Sequence, residues 1–474
     1  MTEKMTEDMT DMTGMTDMTL SVGAPAHGGH CVARPVGEPS GRVVFVRHAL
    51  PGETVRARVT EKTSKMWRAD AIEVLSASPD RVPSLWPEAG PGGVGGGELS
   101  HVALPAQRTW KRWVLADCLR RIGGPTTAEA VAALPQARQG AVPIEALPTE
   151  AATEASPDKW RRRRAGAATR TRLSLTVTDD GRAGMHAFRS RTVLPVTRLP
   201  LAVPAIAELG LTERSRWRKL YEPGMRIEAV APSGGDPVVS IGGRALTGAG
   251  RVTGRRRVEE VVDASGLGLD ELRYSVHING FWQVHCDAPR VLVDRVVRAA
   301  LAEEPTAAGS APGVPAPDAR DCAGLRVLEL YSGAGLFTLP LALYAGEVCS
   351  LEGDETSVGD ARRVLHRHRN ARLLAGRVSA RAVESLGASF GAGGGECADV
   401  VVLDPPRQGA GREVMEALAA LGPRRVVLVA CDPAALARDL AALLRGGYRL
   451  GAMSALDMFP HTHHFETLAV LERR

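Results

Sequence analysis

Three side chains able to transfer protons or attack an electrophile stand at the ends of predicted strands in the last third of the 474-residue chain. They are Asp404, Cys431 and Glu466. Cys431 comes directly after an apolar run and precedes Asp432-Pro433, a common start of a helix. A strand end close to a helix N-terminus favours the thiolate, so we interpret Cys431 as a nucleophile rather than a buried inert cysteine. Glu466, at the start of an apolar strand, is a candidate general base.

Three histidines stand near Glu466, at positions 461, 463 and 464. Their spacing is not a known helical ligand pattern, and no aspartate cluster accompanies them. We therefore predict no metal site there.

A glycine-containing turn follows an earlier predicted strand and includes Tyr331, Gly333 and Gly335. Two glycines allow the backbone to turn tightly and to approach a ligand at a helix N-terminus. Position 338 is Thr, so this is neither the complete dinucleotide fingerprint nor a phosphate-binding P-loop. Glu352, after the next strand, is placed to accept ribose hydroxyls. Together they predict a site for an adenosine-bearing cofactor.

The elements that must position these groups alternate between apolar strands and helical patterns. The predicted strands cover residues 325–331, Glu347–Glu352, 399–403 and Arg425–Ala430. Such alternation predicts an α/β fold with a doubly wound, mainly parallel sheet, which binds ligands at the carboxyl ends of its strands. A short amphipathic helix at 288–302 precedes a Pro/Ala/Gly linker.

The preceding part of the chain has a different pattern. Residues 54–60 alternate with period two, which predicts a barrel strand with Val55, Ala57 and Val59 inside and a basic outer face. Arg161 to Arg164 follow Trp160, which suits either phosphate contact with stacking or a solvated strand edge. Residues 90–97 and about 135–158 look poorly ordered, and residues 172–177 look like a strand.

Composition excludes several classes of protein. No apolar run is long enough to span a membrane, and residues 1–20 lack the apolar core of a secretory signal. The seven cysteines are scattered, which argues against a metal site built from sequence-local ligands and predicts free thiols. The net charge of +5 is compatible with a nucleic-acid partner without requiring one. We expect a cytoplasmic location by default.

Five short motifs occur in order along the chain: Phe281-Trp282-Gln283-Val284, the glycine turn, Asp404-Pro405-Pro406-Arg407, Cys431-Asp432-Pro433 and His464-Phe465-Glu466-Thr467. This ordered set resembles the RNA 5-methyluridine (uracil-C5) methyltransferase family. The resemblance covers nearly everything from about residue 20 onward. It implies a Rossmann-like class I methyltransferase domain, an N-terminal TRAM or OB-like β-barrel and a mixed α+β central domain. The expected boundaries are 1–19 for a disordered tail, 20–78 for the RNA-binding barrel, 79–272 for a central RNA-binding domain, and 273–474 for the catalytic domain with a linker at about 302–322.

The resemblance also implies roles at matching positions. Cys431 would be the nucleophile that adds to uracil C6, and Glu466 the base. Arg407 and Asp404 would hold the uracil edge. The RNA would be 23S ribosomal RNA in preference to transfer RNA, and the enzyme a monomer. The S-adenosylmethionine contacts would be Gln283, Tyr331, Gly333, Glu352 and Asp404.

The sequence departs from the family at the positions that bind an iron–sulfur cluster in many members. The stretch matching Cys-Gly-Gly-Cys is Val94-Gly95-Gly96-Gly97. The preceding and later ligand positions correspond to Trp86 and Leu199. None of the four is cysteine, so we expect no cluster.

Three alternatives have different signatures. A cytosine-C5 methyltransferase is disfavoured because no cysteine follows Asp404-Pro405-Pro406. An amine-directed methyltransferase would carry an aromatic residue after the prolines, where this chain has Arg407. A non-catalytic RNA-binding protein that retains the fold would not need Cys431 and Glu466.

Overall fold

The computed structural model describes residues 16–64, 66–303, 316–391 and 398–474. Its strands are β1 Asp17–Ala26, β2 His30–Pro35, β3 Val44–Arg47, β4 Thr54–Lys62, β5 Trp67–Ser76, β6 Ile144–Glu145, β7 Arg172–Val177, β8 Ala183–His186, β9 Val193–Pro195, β10 Arg226–Val230, β11 Val238–Ile241, β12 Arg244–Thr247, β13 Arg257–Val262, β14 Leu272–His277, β15 Arg326–Leu330, β16 Glu347–Glu352, β17 Ala371–Ala375, β18 Val400–Leu403, β19 Arg425–Ala430, β20 Tyr448–Leu456 and β21 Glu466–Arg473. Its α-helices are α1 Leu104–Arg121, α2 Gly124–Ala132, α3 Pro148–Glu154, α4 Lys159–Arg163, α5 Pro204–Ala207, α6 Ser215–Arg218, α7 Ala288–Leu301, α8 Ala319–Cys322, α9 Thr338–Tyr344, α10 Glu355–Leu365, α11 Ala380–Gly391, α12 Arg412–Leu421 and α13 Pro433–Arg445.

The first five strands close into a barrel in the order β1-β2-β3-β5-β4. In β4, Val55, Ala57 and Val59 are buried, as the period-two pattern predicted. The basic outer face is largely neutralised, because Arg56 pairs with Glu73 and Arg58 pairs with Asp17. The expected disordered tail is wrong for its last residues, since β1 begins at Asp17. Residues 1–15 lie outside the described part of the chain.

The central segment contributes to more than one sheet. Strands β12-β11-β10-β7-β8-β9 form an antiparallel sheet, and β13 pairs with β14 in a separate hairpin. The predicted strand at 172–177 is therefore confirmed as β7. The hairpin crosses the expected boundary at residue 272, while β6 joins the catalytic sheet beside β20.

The catalytic sheet has the order β17-β16-β15-β18-β19-β21-β20-β6. The first five strands in this order, from β17 at the edge to β19, are parallel to one another. Strand β21 is antiparallel to β19, and β20 is antiparallel to β21. All six residues of β19 are buried, as expected for a strand covered on both faces. The predicted doubly wound α/β fold is confirmed.

Two apolar layers cover this sheet. Helices α7 and α9 contribute to one layer together with the β13–β14 hairpin. Helices α12 and α13 contribute to the other layer, together with α1 and α2 from the central segment. The barrel interior is continuous with this second layer through residues such as Leu20 and Val46. The barrel is therefore packed onto the catalytic domain rather than connected to it by a free linker.

Two expectations about the central segment are wrong, and one of two alternatives for its arginine run is excluded. Residues 135–158 contain β6 and α3. The glycine-rich stretch 90–97 is closely packed, since a Cβ on Gly93 would lie 2.1 Å from the Glu88 carbonyl oxygen. Of the two interpretations of the arginine run, the strand edge is wrong, because Arg161 to Arg163 lie in the short exposed helix α4 and Arg164 caps it, with its guanidinium 5.0 Å from the centre of the Trp160 ring; phosphate contact stays a prediction.

Within the described ranges, no helix combines the length and apolarity needed to cross a bilayer. Residues 304–315 of the predicted linker lie outside those ranges.

Candidate active site

Cys431 and Glu466 stand at facing ends of neighbouring antiparallel strands. The last recorded pair between β19 and β21 joins Ala430 to Thr467. The next pair in that register joins Cys431 to Glu466, and residues directly opposite each other in an antiparallel pair point to the same face. The structure thus brings together two side chains that are 35 positions apart in the sequence.

Asp404 completes an acidic group beside the thiol. It follows β18, the parallel neighbour of β19, so its position at the carboxyl end of the sheet matches that of Cys431. Burial raises the pKa of Asp404 to about 7. Burial and the Asp404 charge raise the pKa of Glu466 well above its ordinary value. Oε1 of Glu466 is buried and has no hydrogen-bond partner among the described residues, so it is free to meet a ligand.

The expected lowering of the Cys431 pKa is not what the structure shows. Burial and, after it, the Glu466 and Asp404 carboxylates raise the pKa of this thiol to about 12, while Arg407 opposes them. The N-terminus of α13 is already satisfied, because the Asp432 carboxylate accepts hydrogen bonds from the Ala434 and Ala435 amides at 3.0 and 2.9 Å. Helix position alone therefore did not predict the thiol's protonation state.

The glycine turn after β15 is built around Glu352. The Gly333 amide donates to one Glu352 carboxylate oxygen at 2.9 Å, and the Asp354 amide donates to the other at 2.7 Å. Tyr331 and Gly333 both have positive φ, at 61° and 53°. A Cβ on Gly333 would meet no atom within 4 Å, so this turn borders open space beside a fixed carboxylate. That arrangement fits an adenosyl group with its ribose at Glu352.

Gly335 has a different reason to be glycine. Its φ is +87°, and a Cβ there would lie 3.2 Å from Cβ of Ala361 in α10. The absence of a side chain lets the turn approach α10, whose own start follows Glu352.

For two further predicted site residues, Gln283 and Arg407, the structure gives a location but no hydrogen bond to another described residue that would define a role. Gln283 lies between β14 and α7 and is buried, and the structure records no hydrogen bond from its side-chain amide to any other described residue. Arg407 is exposed and lies close enough to Cys431 to favour ionisation of the thiol.

Two of the three histidines before Glu466 make polar side-chain contacts, and the third, His464, packs its ring against those of His463 and Phe459. The His461 ring lies 2.9 Å from the Ala165 carbonyl oxygen through Nε2 and 3.2 Å from the Gln107 amide nitrogen through Nδ1. Nδ1 of His463 pairs with the buried Glu98 carboxylate. These contacts hold the segment that leads to Glu466. Sequence reasoning missed Gln107 and Glu98, because their partners are more than 350 residues away.

The barrel reaches the residue next to the candidate nucleophile. Nε2 of His27, in the β1–β2 connection, lies 2.8 Å from a carboxylate oxygen of Asp432. Asp432 therefore caps α13 and contacts the barrel at the same time.

The four positions that correspond to cluster ligands do not fit an iron–sulfur cluster. The Trp86 side chain is buried, and a Cβ on Gly97 would lie 2.7 Å from its ring. Val94 and Leu199 pack in or against the same apolar cluster. An indole and aliphatic side chains occupy this region, with no thiolate to bind iron.

Comparison with known proteins decides the family. The model of the tRNA (uracil-5-)-methyltransferase family matches residues 318–474, and the TRAM domain model matches residues 16–72. The 23S rRNA (uracil(1939)-C(5))-methyltransferase RlmD of Alkalilimnicola ehrlichii is 31% identical to this chain, over 91% of this chain and 92% of the relative. This chain belongs to the RNA (uracil-5-)-methyltransferase family. It is an S-adenosylmethionine-dependent enzyme, and its N-terminal barrel is a TRAM domain.

Two other similarities extend over almost the whole enzyme. An uncharacterized RNA methyltransferase of Streptomyces avermitilis is 36% identical, over 96% of this chain and 97% of the relative. The fold also matches the crystal structure of the Pyrococcus abyssi tRNA (uracil-54, C5)-methyltransferase with a TM-score of 0.61 at 20% identity, covering 95% of this chain and 99% of that chain. At that identity the structural likeness concerns the fold alone.

The raised pKa of Asp404 predicts a pH-dependent cost to stability. In the folded methyltransferase this carboxyl keeps its proton up to about pH 7, whereas the ordinary pKa of an aspartate is 3.8. The folded state therefore binds the proton more strongly, and stability is lost as pH rises through that window. Asp404→Asn cannot ionise, so we expect it to raise the unfolding free energy by roughly 1 to 3 kcal/mol at pH 8.5 and by much less at pH 4.5.

Urea unfolding at both pH values measures this effect, with Asp270→Asn as the control at an exposed aspartate. A gain that is the same at both pH values, or one shared by the control, would contradict the assignment.

Proposed function

We propose that this enzyme methylates C5 of a uracil in 23S ribosomal RNA through a covalent bond between Cys431 and C6 of the base. The observation that supports this most is the facing position of Cys431 and Glu466, with Asp404 at the end of the adjacent strand. A thiol nucleophile and a separate base on one face are what C5 methylation requires, because C5 of uracil is a poor nucleophile until C6 is attacked.

The cofactor site follows from the glycine turn. Glu352 would hold the ribose hydroxyls, while Tyr331, Gly333, Gln283 and Asp404 would provide the other contacts. S-adenosylmethionine supplies the methyl group as a sulfonium. Both Asp404 and the Cys431 thiol have raised pKa values in the protein alone. The positive charge of the sulfonium would lower both pKa values and so favour ionisation of the carboxyl and of the thiol beside it.

Each enzyme group then has one task. The Cys431 thiolate forms a bond to C6, and the electron pair of the C5–C6 double bond moves toward the C4 carbonyl oxygen. C5 takes the methyl group, and the sulfur–methyl bond breaks. Glu466 removes the C5 proton, the double bond re-forms, and the thiolate leaves. Arg407 and Asp404 would hold the polar edge of the base, which must leave its stack to reach this half-buried thiol.

Ribosomal RNA is favoured by two relatives. The Alkalilimnicola ehrlichii and Halomonas elongata proteins, 31% and 32% identical, are both named 23S rRNA (uracil(1939)-C(5))-methyltransferase RlmD. The direct test incubates the purified enzyme and S-adenosylmethionine with unmodified 23S rRNA and tRNA transcripts. Mass spectrometry should then locate 5-methyluridine in the 23S transcript. The modification in tRNA alone would refute the assignment to ribosomal RNA.

The role of Glu466 predicts an arrested reaction. Glu466→Gln cannot accept the C5 proton after methyl transfer, so the thiolate cannot leave. We expect this variant to accumulate a methylated protein–RNA adduct on ordinary RNA and to lose at least about a hundredfold in turnover. Denaturing electrophoresis and mass measurement detect the adduct. Normal turnover with no adduct would assign the proton transfer to another group.

A further inference from the structure

A cleft outside the active site lies between the β13–β14 hairpin and the C-terminal half of α10. Its volume is about 530 Å³. Four arginines line it, against a single glutamate, Glu259. The arginines are Arg255, Arg257, Arg273 and Arg363. No role in the reaction uses any of these residues.

The cleft joins two strongly basic stretches of sequence. Residues 255–257 are three consecutive arginines, and residues 362–372 contain five arginines with no acidic residue. The packing of α10 against β14 brings the two stretches together. Placing like charges next to each other is unfavourable unless an anion lies between them.

The four arginines differ in what they contact. Arg257 pairs with the buried Asp360, and Arg273 pairs with Glu259 and Glu271. Arg255 and Arg363 are exposed, and no acidic partner is recorded for either among the described residues. Two guanidinium groups are therefore held by the fold, while two others are available to an anion with the planar oxygen geometry that arginine binds well.

The cleft is separate from the cofactor turn. Arg363 lies eight residues beyond Glu355, at the far end of α10 from Glu352. At 1.5 Å per residue this is roughly 12 Å along the helix. A ligand seated here would leave the cofactor and the uracil sites open.

We infer that this cleft binds the phosphate backbone of the substrate RNA at nucleotides away from the methylated uridine. The inference rests on RNA being the substrate, and it assigns to the α10 end of the catalytic domain a second area of RNA contact besides the active site. Phosphate contacts fix the position of an RNA without reading its sequence, so this area would contribute affinity and orientation rather than the choice of base.

The test is a comparison of charge reversals in the full-length enzyme. Arg255→Glu and Arg363→Glu remove the two available guanidinium groups. The control is Arg445→Glu, which reverses an exposed arginine in the last turn of α13, as Arg363 lies in the last turn of α10. Binding of 23S rRNA and tRNA transcripts is measured across a range of salt concentrations, together with S-adenosylmethionine affinity.

We expect each cleft variant to bind the transcripts about tenfold more weakly, with the slope of log affinity against log salt reduced by about 0.7 to 0.9 per lost contact. The control should stay within about threefold of the wild type, and cofactor affinity should be unchanged in all three. RNA affinity and salt slope equal to those of Arg445→Glu would overturn the inference. The readout is binding, so absence of 5-methyluridine in either RNA would refute the proposed function without deciding the role of the cleft.

Discussion

Replacing Cys431 by alanine should abolish 5-methyluridine formation, with a loss of at least about 10³-fold, because the Cys431 thiolate is the group assigned to form the bond to C6. S-adenosylmethionine affinity should change by less than about threefold, since the thiol is assigned to the base and not to the cofactor. Radioactive methyl transfer to RNA measures the first quantity, and calorimetric titration the second.

RNA that contains 5-fluorouridine makes this test specific for the covalent step. Fluorine at C5 cannot leave as a proton, so the wild-type enzyme should remain joined to the RNA. Cys431→Ala should form no such adduct, whereas Cys286→Ala, which removes an exposed thiol, should form it normally. An adduct formed by Cys431→Ala would refute the proposed nucleophile.

Among the proposed substitutions, replacing Lys111 by methionine should lower the free energy of unfolding the most. Lys111, on α1, is fully buried and pairs with the fully buried Asp457, directly after β20. It also donates a hydrogen bond to the Phe459 carbonyl oxygen at 3.1 Å. Removal of one partner leaves an unpaired charge in the interior, which costs about 3 to 5 kcal/mol. Urea unfolding should show this loss, and Lys219→Met, at an exposed lysine, should show almost none.

The double variant Lys111→Met/Asp457→Leu separates the charge effect from simple loss of packing. Two apolar side chains replace the pair without leaving a charge, so most of the lost stability should return. If the double variant is as unstable as Lys111→Met, the effect comes from packing and not from the buried charge.

Much of the catalytic sheet could be predicted because its strands are short, apolar and separated by helices. Strands β16 and β19 have the predicted bounds, β15 is shorter by one residue at each end, and β18 starts one residue later. The edge strand β17 was missed because it contains Arg372 and is only partly buried, so it lacks a continuous apolar run. β6 was missed because two residues carry no periodicity.

In the candidate site, the sequence indicated the reactive residues but not the protonation state of the thiol or the residues that support the site. Strand ends indicated all three groups, since Asp404 and Cys431 directly follow apolar strands and Glu466 begins one. The predicted lowering of the Cys431 pKa was wrong, because burial of the thiol and two carboxylates that only the folded sheet places beside it raise that pKa. The residues that support the site, such as Gln107 and Lys111, could not be identified at all, because their partners are supplied by distant chain segments. The domain boundaries, the individual site roles, the monomeric state and the cytoplasmic location stay predictions.

The place of β6 at the edge of the catalytic sheet has a consequence for how the enzyme is made. Ile144 pairs with Ala455, more than 300 residues later in the chain. Synthesis proceeds from the N-terminus, so β6 and the apolar faces of α1 and α2 emerge long before β20 and α13 exist to cover them. Contacts with such large sequence separation form slowly. The sheet can therefore be completed only after almost the whole chain has left the ribosome, and a chain truncated before β20 would expose an unpaired strand edge.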